Sequence, residues 1–300
     1  MYWIAMKRKL QILLASCFCL LMPGLTHANP SDSQLDSSPI NIGIPQDVLE
    51  DYNAFIQGRD PVNITDYSGP NSRRDVVEVI LFQQALMLGG ITNNITFTGV
   101  PTYRRLLTEV KEGALVGAAT SAWLYDLENE KENLLISDAV IENGNFEAGL
   151  YTNAKNTKVL EANTLKKIKG LSAASNRYWT PDWRTLSHLG LSRLIHIQDW
   201  KTMVRTVYHQ RADFLLAPFQ QTQGMRLDVD GMTLIPIQGV KVGLEGSRHF
   251  AISRHHPKGK TIFRAFQKGL AILMKRGTLK QAYRESGFYN EKAQNWRFLN

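Results

Sequence analysis

Cysteine is almost missing from this 300-residue chain: there are two, Cys17 and Cys19, and both lie in the first 28 residues. Beyond them no disulfide, zinc-thiolate set or cysteine nucleophile can form. The fold must therefore hold by packing alone, which a chain of this length can do. Long apolar runs are also missing. The longest, residues 10–22, is about 13 residues, short of the roughly 20 that a membrane-spanning helix needs. There is no P-loop, dinucleotide fingerprint, GxSxG elbow or HExxH pair. The adjacent His255 and His256 lack the spacing of a metal site. No dense Lys/Arg block is interleaved with aromatics, so nucleic acid is not an expected partner. Repeats and low-complexity tracts are absent as well. No metal, no cofactor and no catalysis are expected.

What is present begins with an export signal. Lys7, Arg8 and Lys9 precede the apolar run, Pro23-Gly24 breaks it, and Thr26-His27-Ala28 puts small residues at both cleavage-determining positions. Residues 1–28 read as a secretory signal, which makes the mature chain a periplasmic protein without cysteine. Leu14-Ala15-Ser16-Cys17 resembles a lipoprotein cleavage box, which would leave Cys17 lipidated. Residues 18–22 are apolar where a tether would have to be soluble, and this favours the plain signal. Losing three basic residues lowers the formal charge from +8 to +5, a mild excess that could favour an anionic ligand or surface.

The body of the chain, 43% hydrophobic and 21% charged, has a soluble globular composition and alternates short β-branched runs with amphipathic helical stretches. Residues 29–38 form a flexible lead-in, and 40–44 a buried strand ended by Pro45. Asp47, just past that strand's carboxyl end, is either a ligand contact or a helix cap. The apolar stretch 76–88 reads as a buried helix, capped by Asn71 or Ser72 and stopped by Gly89-Gly90. Arg73 and Arg74 in its first turn oppose the helix dipole, so they either pair with carboxylates or face an anion. Strands are expected at 94–98, 114–119, 147–152, 170–175, 194–197, 212–217, 234–237, 240–244 and 248–253. Helices are expected at 102–112, 159–169, from about 177, 200–209, 259–276 and 278–286. The acidic residues Asp126, Glu128, Glu130 and Glu132 read as a solvated helix face.

This order of elements resembles the extracellular solute-binding proteins of family 3, the amino-acid type. It is carried by INIGIP at 40–45, Lys111-Glu112-Gly113 before a small-residue strand, GLYT at 149–152, HQRADFLLA at 209–217 and GTLKQAYRESGF at 277–288. The resemblance implies an α/β, two-lobed type II periplasmic binding protein-like fold, each lobe a mixed sheet flanked by helices. Lobe 1 would take residues 39–150 plus 248–300 and lobe 2 residues 151–247, with hinge strands at 149–153 and 240–247. It further implies a monomer that captures a small solute and presents it to a membrane transporter permease or sensor protein.

Relatives of this type carry an arginine shortly after the small-residue strand for the ligand carboxylate, and an aspartate after the last strand of lobe 2 for its amino group. Here residues 121–128 hold no arginine, Ala217 and Pro218 stand at the second place, and Asp213 looks structural. An amino acid enclosed without counter-charges would cost several kcal/mol per unpaired ion, so the expected ligand is another small polar solute. Candidate contacts are Asp47, Arg73, the hydroxyls of Thr120, Ser121 and Ser175, and the rings of Tyr67, Trp123, Tyr178 and Trp179, stacking on a flat face or serving as core. The competing reading is an interaction module of the same fold that docks on a membrane sensor or envelope complex and needs no solute.

Overall fold

The structure, a computed structural model, describes residues 37–300. The expected signal, the Cys17 box and most of the lead-in lie outside the described residues. Two β-sheets organise the chain. The first starts with β1 (Ile40–Pro45), whose apolar residues are buried because the strand lies inside a sheet with helices packed on it. It continues through α1 (Gln46–Ile56), α2 (Arg74–Leu88), β2 (Ile95–Val100), α3 (Tyr103–Lys111), β3 (Gly117–Ala118), β4 (Ala122–Trp123), α4 (Leu124–Glu128) and β5 (Leu134–Ile136).

The chain then enters β6 (Phe146–Asn153), α5 (Thr157–Leu160), α6 (Leu165–Lys169), β7 (Ser172–Ser175), α7 (Thr180–His188), β8 (Arg193–His196), α8 (Trp200–Tyr208), β9 (Phe214–Ala217), β10 (Leu227–Val229), β11 (Met232–Pro236) and β12 (Val240–Leu244). It closes with β13 (Arg248–His249), β14 (Ala251–Ser253), α9 (Gly259–Lys275), α10 (Thr278–Glu285) and β15 (Arg297–Phe298).

The first sheet runs β2-β1-β3-β14-β5, with β14 antiparallel to both neighbours, so the end of the chain returns to complete the first lobe. The second runs β10-β11-β6-β9-β7-β8, with β7, β8 and β9 parallel. β6 and β12 run side by side where the chain passes between sheets. Phe146 faces Leu244 and Ala148 faces Val242, after which Gly149 to Tyr151 join the second sheet through β9.

In the first lobe α2 lies against α9, and the helices meet at glycine. A Cβ on Gly269 would stand 1.8 Å from the Ala85 carbonyl oxygen, and one on Gly89 2.0 Å from that of Ala265. Phe82, Phe250 and Phe266 close the core beside this contact, with ring centroids 4.7 to 5.6 Å apart.

Local signals hold at several termini: Thr102 Oγ1 accepts from Arg105 N, and Asp199 Oδ1 accepts from Thr202 N at 2.7 Å. Elsewhere tertiary contacts displaced them. Arg73, and neither Asn71 nor Ser72, occupies the N-cap of α2, because the Ser72 hydroxyl donates to the Tyr67 carbonyl at 2.5 Å. The stretch 159–169 forms two short helices rather than one. The strand at 114–119 shortens to Gly117–Ala118.

β15 was not foreseen. It pairs in parallel with β12, and the Asn300 side chain extends the ladder by bonding both N and O of Gly243. Buried Lys241 ties this segment down, reaching Glu147 at 2.8 Å and the Ala293 carbonyl at 3.0 Å.

Candidate functional site

A cavity of about 700 Å³ opens between the two sheets' loops. One wall comes from the first lobe: Tyr103, Arg104, Leu107 and Lys111 on α3, Trp123 on β4, Tyr125 and Asp126 on α4, and Arg248 on β13. The other is the segment from Tyr178 to Asp182, leading into α7 of the second lobe. Of the nine residues expected at a site, the cavity gathers Trp123, Tyr178 and Trp179.

The remaining six lie elsewhere. Tyr67 is core, only 1% exposed, with its hydroxyl donating to Gln84 Oε1 at 2.8 Å. Its loop folds back on α2, so it does not reach the cleft. Asp47 and Arg73 form an outward ion network, in which the Arg73 guanidinium reaches Asp47 at 2.9 Å, Asp51 at 2.7 Å and Asp75 at 2.7 Å. These carboxylates offset the unfavourable placing of a cation at a helix N-terminus. Thr120, Ser121 and Ser175 are buried and do not line the cavity. Asp213 is structural, as its place suggested, accepting from both N and Oγ of Ser172 at 2.7 Å.

Ser121 acts one layer below the cavity. Its N–H donates to Glu78 Oε2 at 2.8 Å and its hydroxyl to Glu78 Oε1 at 2.7 Å. Glu78 is wholly buried in α2 and also accepts from Arg74 at 2.7 Å and from the Tyr283 hydroxyl at 3.1 Å. Burial opposes the Arg74 charge, but Glu78 and Asp75 outweigh it and hold its pKa above the ordinary value. Burial and the Glu78 charge likewise push the Tyr283 phenol well up. The loop 119–123 is thus fixed by charge-assisted bonds of about 1.5–3 kcal/mol each.

Arg248 completes this layer and reaches through it. Its Nε donates to Ser121 Oγ at 3.0 Å and its Nη2 to the Ser121 carbonyl. The guanidinium lies 4.7 Å from the Trp123 ring centroid, a cation–π contact. Among the described residues its Nη1 has no hydrogen-bond partner, and Arg248 lines the cavity. No carboxylate lies within ion-pair distance of Arg248 among the described residues. Burial, followed by the nearby Arg74 charge, pushes its pKa down to about 10, so it stays cationic at neutral pH. Trp123 is therefore more than a lining ring: it carries Arg248 on one side and Phe146 at 5.2 Å. Gly246, at φ +132, passes close to it, and a Cβ there would stand 3.3 Å from the indole.

On the other wall Asp182 has, among the described residues, no partner beyond its own backbone N–H, and burial pushes its carboxyl up to about 6. Tyr178 is 72% exposed and Trp179 36%. Trp179 rests 6.1 Å from Trp200, and Tyr178 stands edge-on to His196 at 5.8 Å. The acidic segment is not a uniform solvated helix face: α4 ends at Glu128, Asp126 accepts from the Tyr103 hydroxyl at 2.9 Å, and Glu130 pairs with Lys111 at 3.1 Å.

Sequence reasoning missed Arg248, Glu78, Asp182 and Tyr103 as site residues. Glu78 did carry a signal, a carboxylate within the apolar run VVEVILF just after Arg73-Arg74-Asp75. Arg248 carried none, since its partner Ser121 is 127 residues earlier.

No family model and no curated protein matches this chain. Solved structures do. The probable amino-acid ABC transporter extracellular-binding protein YtmK of Bacillus subtilis superposes with a TM-score of 0.57 at 14% identity, over 84% of this chain and 99% of that one. Substrate binding domain 2 of Lactococcus lactis GlnP, in an open conformation, gives 0.53 at 12% identity over 84% and 97%. The periplasmic VFT2 domain of Bordetella pertussis BvgS gives 0.51 at 13% over 86% and 93%. The fold is the two-lobed mixed α/β fold of these binding domains.

Proposed function

We propose that this protein is an exported, periplasmic solute-binding protein that closes its two lobes on a small polar solute and presents it to a membrane transporter permease or sensor protein. The observation that carries this reading is Arg248, a buried guanidinium whose Nη1 has no hydrogen-bond partner among the described residues, lining together with Asp182 a cavity that takes rings from both walls. The absence of an arginine from residues 121–128 does not leave the cleft without a cationic anchor, because β13 supplies one. An anionic group of the solute would accept from Arg248. A donor or cation would meet Asp182, and a flat portion would lie among Tyr103, Tyr178 and Trp179.

Lobe 1 is taken as residues 39–150 plus 248–300 and lobe 2 as 151–247. Closure would pivot on the paired stretch of β6 and β12, shifting an open–closed equilibrium through contacts that need both walls. The protein carries no chemistry of its own in this reading. A thermal-shift screen against organic acids, amino acids, sugars and polyamines tests it. A true ligand at 100 times its dissociation constant adds about 2.7 kcal/mol, and the Arg248→Met variant should lose the shift. If no compound shifts the wild type, the reading fails. The second reading, a solute-independent module docking on a membrane sensor or envelope complex, would then stand. It draws support from the likeness to BvgS VFT2, a periplasmic domain.

A further inference from the structure

Lobe 1 carries a face that the cleft does not use. Between Glu245 and Glu285 the chain has no acidic residue, although 27 are spread over the rest of it. Most of the stretch folds as β13, β14, α9 and α10. The apolar side of α9, with Ile262, Phe266, Leu270 and Leu273, is buried against the core. On the opposite side Lys260, Arg264, Lys268 and Lys275 are all exposed. Their spacing places them within about a quarter of the helix circumference, along roughly 22 Å. Arg276 and Lys280 continue the charge across the turn into α10. Among the described residues none of these six cations is in an ion pair, and no residue lining the cleft lies on α9 or α10. A face kept merely for solubility mixes the two signs. This one does not.

We infer that the α9–α10 face docks the protein on an anionic phospholipid surface, leaving the cleft free. Charge complementarity selects the occupant. The stripe is rich in lysine, which protein interfaces avoid at their centres, and it lacks the aromatic anchors that would give a protein partner a fixed register. Flexible cations along a single straight helix suit a diffuse layer of phosphate charge, to which each Lys or Arg near the surface adds attraction. Because the apolar side of α9 is committed to the core, docking would be superficial, without insertion, and sensitive to salt.

The test uses soluble protein recovered from cells expressing the full chain, co-sedimented with vesicles. One set is phosphatidylcholine alone and the other contains about 30 mol% phosphatidylglycerol, in about 50 mM and about 0.5 M salt. Binding is expected only to the anionic vesicles at low salt. The charge-reversed K260E/R264E/K268E protein should bind at least tenfold more weakly. The control K166E/K167E/K169E, equal in charge change but on α6 of the other lobe, should bind within twofold of wild type. Absence of binding to anionic vesicles at low salt overturns the inference. So does an equal loss in both variants, which would make net charge rather than this face responsible. If the protein binds immobilised polyglutamate at least tenfold more tightly than the anionic vesicles at the same salt, the partner is an acidic protein and the bilayer assignment falls.

Discussion

Arg248 and Asp182 face the same cavity, yet they are held very differently. Behind Arg248 stands a closed set of bonds through Ser121, Glu78, Arg74 and Tyr283, all in the first lobe and nearly all buried. Asp182, among the described residues, bonds only to its own backbone N–H, with Tyr178 and Trp179 exposed beside it. A wall whose polar groups are already satisfied keeps its shape whether or not a solute is present. A wall with an unpaired carboxyl and exposed rings has its partners still to find. On the proposed reading the first lobe would be the pre-organised half of the site and the second lobe the half completed on closure, lowering the ordering cost of binding on one side only.

The largest effect should come from breaking the built wall. Glu78→Ala removes the acceptor shared by Arg74, Ser121 and Tyr283 and leaves Asp75, 3.4 Å from Arg74, as the carboxylate beside two guanidinium groups. A loss of about 3–5 kcal/mol in urea unfolding is expected. Glu78→Gln, which keeps the shape and loses the charge, should fall between this and wild type. A loss under about 1 kcal/mol for the alanine variant would mean that the network does not brace the wall.

Arg248→Met separates binding from stability. An arginine buried without a contacting carboxylate carries a desolvation cost that a methionine of similar length avoids, so the melting temperature should hold or rise. Affinity for any anionic solute found in the screen should fall roughly 100-fold, about 3 kcal/mol, as a charge-assisted contact is lost. A variant that melts lower and binds as wild type would place Arg248 with the structural ions such as Arg74.

Asp182→Asn probes the unfinished wall through pH. Folding raises this carboxyl from its ordinary value near 4 to about 6, so between those values the folded state holds a proton that the unfolded state has released. Stability contributed by that proton is present at low pH and is lost as pH rises from about 4 to about 6, with no further change above. The expected slope amounts to about 1–2 kcal/mol across the window, allowing for partial exposure. It should be missing from the asparagine variant, as pH-dependent thermal melts would reveal. Identical profiles for the two proteins would mean that Asp182 already has a partner.

How much of this was legible beforehand differs between the two halves in the same way. The lobes and most elements could be read because strands such as 40–44 and 240–244 and helices such as α9 declare themselves by period. A residue like Trp179, in a loop just before a helix, is locally recognisable too. The built wall was not legible. Its members, Glu78, Ser121, Arg248 and Tyr283, come from four separate segments, and what joins them is the return of the C-terminal part of the chain into the first sheet. Residues 121–128 hold no arginine, and only the pairing of β4 with β13 reveals that Arg248 stands opposite Trp123. Tyr67 took the second of its two readings: it is a core ring, because its loop folds inward over α2.

The two tryptophans that line the cavity give the finest test, because one residue type sits on both walls. Trp123 packs on Phe146 and carries the Arg248 guanidinium, so Trp123→Ala should cost about 2–3 kcal/mol of stability, below the range for a fully buried tryptophan because part of the ring faces the cavity. Affinity should fall with it as Arg248 loses its platform. Trp179 touches mainly Trp200 and is more than a third exposed. Its alanine variant should unfold within about 1 kcal/mol of wild type and bind five- to tenfold more weakly, the scale of one aromatic stacking contact. Chemical denaturation with calorimetric titration of the two variants in parallel reads both quantities. Equal stability losses would show that the walls are built alike, and the contrast between a finished and an unfinished half would have to be given up.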